Sequence, residues 1–108
     1  MAVTVVANGT HTPTTTGETE LHATSTAGVY GYVVDTANML GGDTVTLRVY
    51  VRGVSAGAWR LAYQSSFSHT QGEPAKAAPA VYAAYGYRAT IQQNAGTFRS
   101  FPWHVVSL

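Results

Sequence analysis

Residues 44–52, TVTLRVYVR, alternate without a break. Val45, Leu47, Val49 and Val51 fall on one side of an extended chain, and Thr44, Thr46, Arg48, Tyr50 and Arg52 on the other. A period of two is the pattern of a strand with one buried face and one wet face; a helix would scatter the four aliphatics around its circumference. The residues before them, VYGYVVD at 29–35, also read as a strand. A tight polar connection joins the two, with Gly41-Gly42-Asp43 supplying the backbone freedom needed to re-enter a sheet. The centre of the chain therefore reads as hairpin-like.

The rest of the chain repeats the theme. Val3 to Val6 is a short strand candidate, and Asn8-Gly9 after it is a turn dipeptide. A polar, Thr-rich stretch follows at 10–17 and reads as either an extended arm or an edge segment, since Thr forms strands well but fills a core poorly. Residues 18–23 alternate weakly, and 24–28 form a turn. Asp35 and Thr36 are placed to cap backbone N–H groups of one helical turn at 35–39. In WRLAYQSSF, residues 59–67, Trp59, Leu61, Tyr63, Ser65 and Phe67 share a side. Two prolines and a glycine make 68–79 a long loop, and 80–84 reads as a short edge strand or helical turn. Tyr87, Ala89 and Ile91 face inward on the next strand. Residues 94–97, with Gly96, form a hairpin turn. Pro102 marks a bulge or an edge, since it cannot donate to a ladder.

Seven or eight short strands with almost no helix predict an all-β fold. Two packed antiparallel sheets, a jelly-roll-like β-sandwich, are the expected arrangement, and a small β-barrel is the alternative. The 108 residues suit one domain. An extended N-terminal arm is assigned to residues 1–17 and the sandwich to 18–108.

Composition narrows the function. Only 10% of the residues are charged, against about a quarter in an average soluble protein. Such a surface suits a subunit partly covered by partners, because desolvating charge is costly. The net charge of +1 provides no field for nucleic acid. No run of about 18 apolar residues is present for a membrane helix, and the N-terminus lacks the pattern of a secretory signal. Cysteine is absent, which removes disulfides and thiolate metal sites.

Chemistry is equally sparse. His11, His22, His69 and His104 share no strand face at metal-ligand spacing. Glu18 and Glu20 read as a solvated edge, and Asp35 and Asp43 as turn and capping residues. No nucleophile elbow, P-loop or dinucleotide fingerprint occurs. Neither an enzyme nor a cofactor is expected. The aromatics Trp59, Trp103, Phe67, Phe98 and Phe101 are assigned to packing, and Tyr30, Tyr32, Tyr50, Tyr82, Tyr85 and Tyr87 are interface candidates. Tyr50 shares its strand face with Arg48 and Arg52. If Arg60 and Arg88 point the same way, a face of Arg, Tyr, Thr and Gln results, made of residue types enriched at protein interfaces. The candidate contact residues are thus Arg48, Tyr50, Arg52 and Arg88 on a sheet face, with His11, Thr12, Thr14 and Thr16 on the arm.

The segment TAGVYGYVVDTANMLGGDTVTLRVYVR, with VTVVANGTHTPTT before it and NAGTFRSFPWHVVSL after it, resembles small virion proteins of tailed bacteriophages, of the capsid decoration (cement) kind. The pattern V-D-T-x-N-M-x-x-G-D-x-x-x-L-R is matched by Val34, Asp35, Thr36, Asn38, Met39, Gly42, Asp43, Leu47 and Arg48. The pattern is a strand–turn–strand signature without catalytic content. The resemblance implies a structural protein on the surface of an icosahedral capsid, assembled in the bacterial cytoplasm. Its partners would be the major capsid protein and copies of itself, as a trimer. A head–tail connector or tail-tube subunit, or a module binding carbohydrate on a host surface, are the alternatives.

Overall fold

The alternation at 44–52 becomes a central strand. In the computed structural model, which describes residues 3–108, Val45 and Val49 are fully buried and Leu47 is 1% exposed. Eight strands run through the described residues: β1 Thr4–His11, β2 Thr19–Thr24, β3 Gly28–Asp35, β4 Thr44–Arg52, β5 Trp59–Ser68, β6 Ala75–Ala83, β7 Tyr87–Ala95 and β8 Phe101–Ser107. They form two four-stranded sheets, ordered β1-β8-β3-β6 and β2-β7-β4-β5, and all pairings are antiparallel.

This order is that of a long hairpin rolled up. Strand β4 pairs with β5, β3 with β6, β2 with β7 and β1 with β8. Rolling then brings β3 against β8 and β4 against β7. The expected β-sandwich is therefore present as a two-sheet jelly roll and the barrel alternative is excluded. The inner faces meet over Tyr32, Val34, Met39, Val45, Leu47, Val49, Tyr87, Ala89, Ile91, Phe101 and Val105. Each large side chain removed from water there contributes about 1.5–3 kcal/mol. Tyr32 donates its hydroxyl to the Thr90 carbonyl at 3.0 Å, and Tyr30 stacks on Tyr87 at 5.0 Å. These three tyrosines belong to the core, not to an interface.

Several connections differ from the sequence expectation. Strands β3 and β4 lie in opposite sheets, so residues 36–43 cross the sandwich and close no hairpin. The same holds for 96–100 between β7 and β8, although Gly96 does take a positive φ of 89°. The turn at 36–39 carries a Met39 N–H to Thr36 carbonyl bond of 3.0 Å without becoming a helix, and Asp35 accepts the Ala37 N–H at 2.9 Å. The loop expected at 68–79 is shorter, because β6 already starts at Ala75. Pro79 is tolerated on this edge strand at an irregularity, where Pro79 and Ala80 stand opposite Gly31.

A bulge also changes which side chains β5 buries. Val49 pairs with Tyr63 but Tyr50 pairs with Leu61, so Ala62 is an extra residue. It reverses the alternation. Tyr63 and Phe67 pack on the core, whereas Leu61 is 53% exposed and Trp59 joins the outer face opposite Arg52.

The N-terminal arm is corrected as well. Asn8-Gly9 makes no turn, and β1 runs through it to His11, paired to β8 over its length. Residues 12–17 then cross to the other sheet. Pro13 is buried, Thr12 shares a hydroxyl hydrogen bond with Ser100 at 2.8 Å, and Gln92 donates to the Thr16 carbonyl at 2.8 Å. The segment is an edge strand and a strap, not a projecting arm.

Candidate docking faces

The outer face of β2-β7-β4-β5 holds the predicted contact residues. Arg48, Tyr50 and Arg52 share it, and register places Arg88 beside Tyr50, with its guanidinium 5.1 Å from the Tyr50 ring centroid. Arg60 pairs with Val51 and does not join them. Two acids do join. Arg48 lies 3.5 Å from Glu18, and Arg88 Nε lies 2.9 Å from Glu20, close enough to pair although not aligned as a hydrogen bond. Arg48 also donates to Gln64 at 2.8 Å and Gln92 at 2.7 Å. Tyr50 donates to Glu18 at 2.7 Å, and Thr90 donates to the same carboxylate. Burial works to raise the Glu18 pKa, but these hydroxyls and the nearby arginines outweigh it and hold the carboxyl below its ordinary value. Burial and the adjacent Glu18 raise that of Tyr50. On this polar plane Arg48 and Arg88 are already engaged by Glu18 and Glu20, which lowers what a partner gains from them.

The arm residues do not gather into a site. His11 pairs with Phe101 and is half-buried, and burial lowers its pKa. Thr12 and Thr16 serve the strap, and Thr14 is exposed on it.

The outer face of β1-β8-β3-β6 is of opposite character. Register lays out its rows. Val5 stands beside Val106 and Gly31, and Asn8 beside His104, Val33 and Ala77. Thr10 faces Pro102, while Asp35 faces Ala75 at the same end. Val29 faces Tyr82 at the other end, where the Leu108 N–H donates to the Val29 carbonyl at 3.0 Å. Val5, Leu108 and Tyr82 are 53%, 51% and 89% exposed. Asp35 is the charged side chain in these rows. A groove of about 590 Å3 crosses the face, lined by Val5, Asn8, Val33, Asp35, Pro102 and His104 among others.

This face was not among the predicted contacts, yet its signal is in the sequence. Strands β3, VYGYVV, and β8, FPWHVV, lack the clean alternation of β4. Apolar residues on both faces are the mark of a strand covered on both sides. Among the described residues, no cluster of three or more His, Asp or Glu is positioned to hold a metal ion.

Comparison with known proteins returns no match: no family model fits the chain, and no curated protein or solved structure is similar to it.

Proposed function

We propose that this chain is a structural virion protein of the capsid-decoration kind, which binds an assembled shell through the outer face of β1-β8-β3-β6. The observation that carries this reading is the pair of central strands, β3 and β8, with apolar side chains on both faces. The resemblance of residues 34–48 to phage cement proteins supplies the class of partner.

The mechanism is burial of neutral surface. All four edge strands carry an irregularity in register: β1 at Val6, β2 at Leu21, β6 at Pro79–Ala80 and β5 at Ala62. Such edges resist strand addition, so association by faces is favoured. Four strands spaced about 4.8 Å apart, over some six residues each, present roughly 400 Å2 in projection. That is small against the roughly 800 Å2 per partner of a standard interface. Each copy therefore binds weakly, and contact between neighbouring copies on the shell multiplies the affinity. The polar plane of the other sheet then faces water.

Electron microscopy of particles assembled with and without the protein tests this. Density on the outer shell, and rupture at higher temperature when the protein is present, are expected; bare shells and unchanged rupture would count against it.

A binding module for carbohydrate is the second reading, favoured by the groove itself, where Asn8, Asp35 and His104 border apolar walls. Arg52 covers the Trp59 indole, whereas Trp103 packs partly against the core and also lines the groove. Glycan-array binding abolished by Asn8→Ala would favour this reading over decoration.

A further inference from the structure

On the polar plane of β2-β7-β4-β5, Arg48 and Arg88 each meet a glutamate, whereas Arg52 meets no carboxylate among the described residues. Its position is nevertheless fixed. The guanidinium stacks on the Trp59 ring, 4.1 Å from the centroid, in a cation–π contact that orients its planar fork. Trp59 is in turn seated against Gly86. A Cβ at that glycine, whose φ is +151°, would lie 2.9 Å from Trp59 Cη2 and 3.0 Å from the Thr24 carbonyl. Beside the stacked pair is a hollow of about 140 Å3, lined by Ala23, Thr24, Ser25, Arg52 and Trp59. Thr24 Oγ1 already accepts the Thr26 N–H at 3.1 Å, which leaves its hydroxyl proton to donate elsewhere. Arg52 Nε is buried without an acceptor among the described residues, a deficit that native structures usually fill with a ligand or water.

We propose that this hollow is an oxyanion subsite, in which the Arg52 fork and the Thr24 and Ser25 hydroxyls bind a carboxylate, phosphate or sulfate group. The chemistry fits. The hollow of about 140 Å3 has room for a small oxyanion. A propped guanidinium pays little ordering cost on binding and gains charge-assisted hydrogen bonds. The site lies on the sheet opposite the proposed docking face, so it stands or falls independently of that reading.

The test is a titration of the whole chain with sodium acetate and, separately, inorganic phosphate, at constant ionic strength with chloride as the balancing ion. The readouts are the NMR signals of Arg52 Nε–H, Trp59 indole N–H and Arg60 Nε–H. Saturable shifts at Arg52 and Trp59, absent at Arg60, are expected, with a dissociation constant on the order of 10 mM or tighter. Arg52→Gln should weaken binding at least about tenfold, a loss of about 1.4 kcal/mol. Tighter binding of acetate assigns the site to an acidic side chain of a protein partner, and tighter binding of phosphate assigns it to a free ion. The absence of saturation for both anions, equal shifts at Arg60, or undiminished binding by Arg52→Gln overturns the proposal. If Arg52→Gln fails to fold, the contrast between Arg52 and Arg60 in the unmodified chain decides.

Discussion

Asp43 ties three connections of the sandwich together. Its carboxylate accepts the Leu40 N–H at 2.9 Å, the Thr97 N–H at 3.0 Å and Arg99 Nε at 2.8 Å, and its carbonyl accepts the His69 N–H at 2.8 Å. It is 1% exposed yet lies just beneath the surface. Burial alone would raise its pKa, but the two amides and the guanidinium outweigh burial and lower it. A lowered folded pKa stabilises the protein above the unfolded value of about 3.9, and that contribution is lost as pH falls through the folded pKa. Asp43→Asn should therefore cost on the order of 2 kcal/mol near neutral pH. The difference between variant and parent should begin to shrink below about pH 4 and vanish only once the pH has fallen through the lowered folded pKa, as read by denaturant titration at each pH. Gly96 is the partner in this arrangement. An added Cβ would come within 2.6 Å of the Asp43 Cα, at a φ of 89°. Gly96→Ala should lose about 3 kcal/mol in the same assay. The sequence marked Asp43 and Gly96 as turn residues but not as neighbours, because loops of opposite strand pairs meet only once the hairpin has rolled.

Among the strands, β4 and β7 were the most legible. Their alternation is unbroken where it matters, and Val45, Leu47, Val49, Tyr87, Ala89 and Ile91 are all buried. Alternation fixes which side of a strand is dry; it does not say which strand lies alongside. For that reason β3 and β4 looked like a hairpin although they belong to different sheets. β5 was misread for a local reason, since the bulge at Ala62 leaves no mark in the residue pattern. Two substitutions on this sheet separate the faces. Leu47→Ala should cost about 2–5 kcal/mol by opening a cavity between the sheets. Leu61→Ser, beyond the bulge, should change stability by less than about 0.5 kcal/mol. Thermal melts of the two variants check the contrast. β1 is legible only at its start, Val3 to Val6, because Asn8-Gly9 reads as a turn in isolation. Its pairing to β8 supplies backbone hydrogen bonds that a local dipeptide preference of about 1 kcal/mol does not overcome.

At the scale of the molecule, the two outer sheet faces divide the chemistry. One carries Arg48, Arg52, Arg88, Glu18 and Glu20 and largely neutralises itself. The other carries valines, Pro102 and a central His104, with Asp35 at its end. Residue types drew attention to the first face, because Tyr and Arg are common at interfaces. The geometry turns attention to the second, because a guanidinium already held by a glutamate has little left for a partner. Val33 stands in the middle row of the apolar face, beside His104, and Arg48 in the middle of the polar one. Neither Val33→Arg nor Arg48→Ala should unfold the sandwich, which near-identical far-UV circular dichroism of the two variants would establish. Their co-sedimentation with capsid particles is then the decisive measurement. Val33→Arg should leave the particles while Arg48→Ala stays bound; retention of Val33→Arg together with loss of Arg48→Ala would contradict the account.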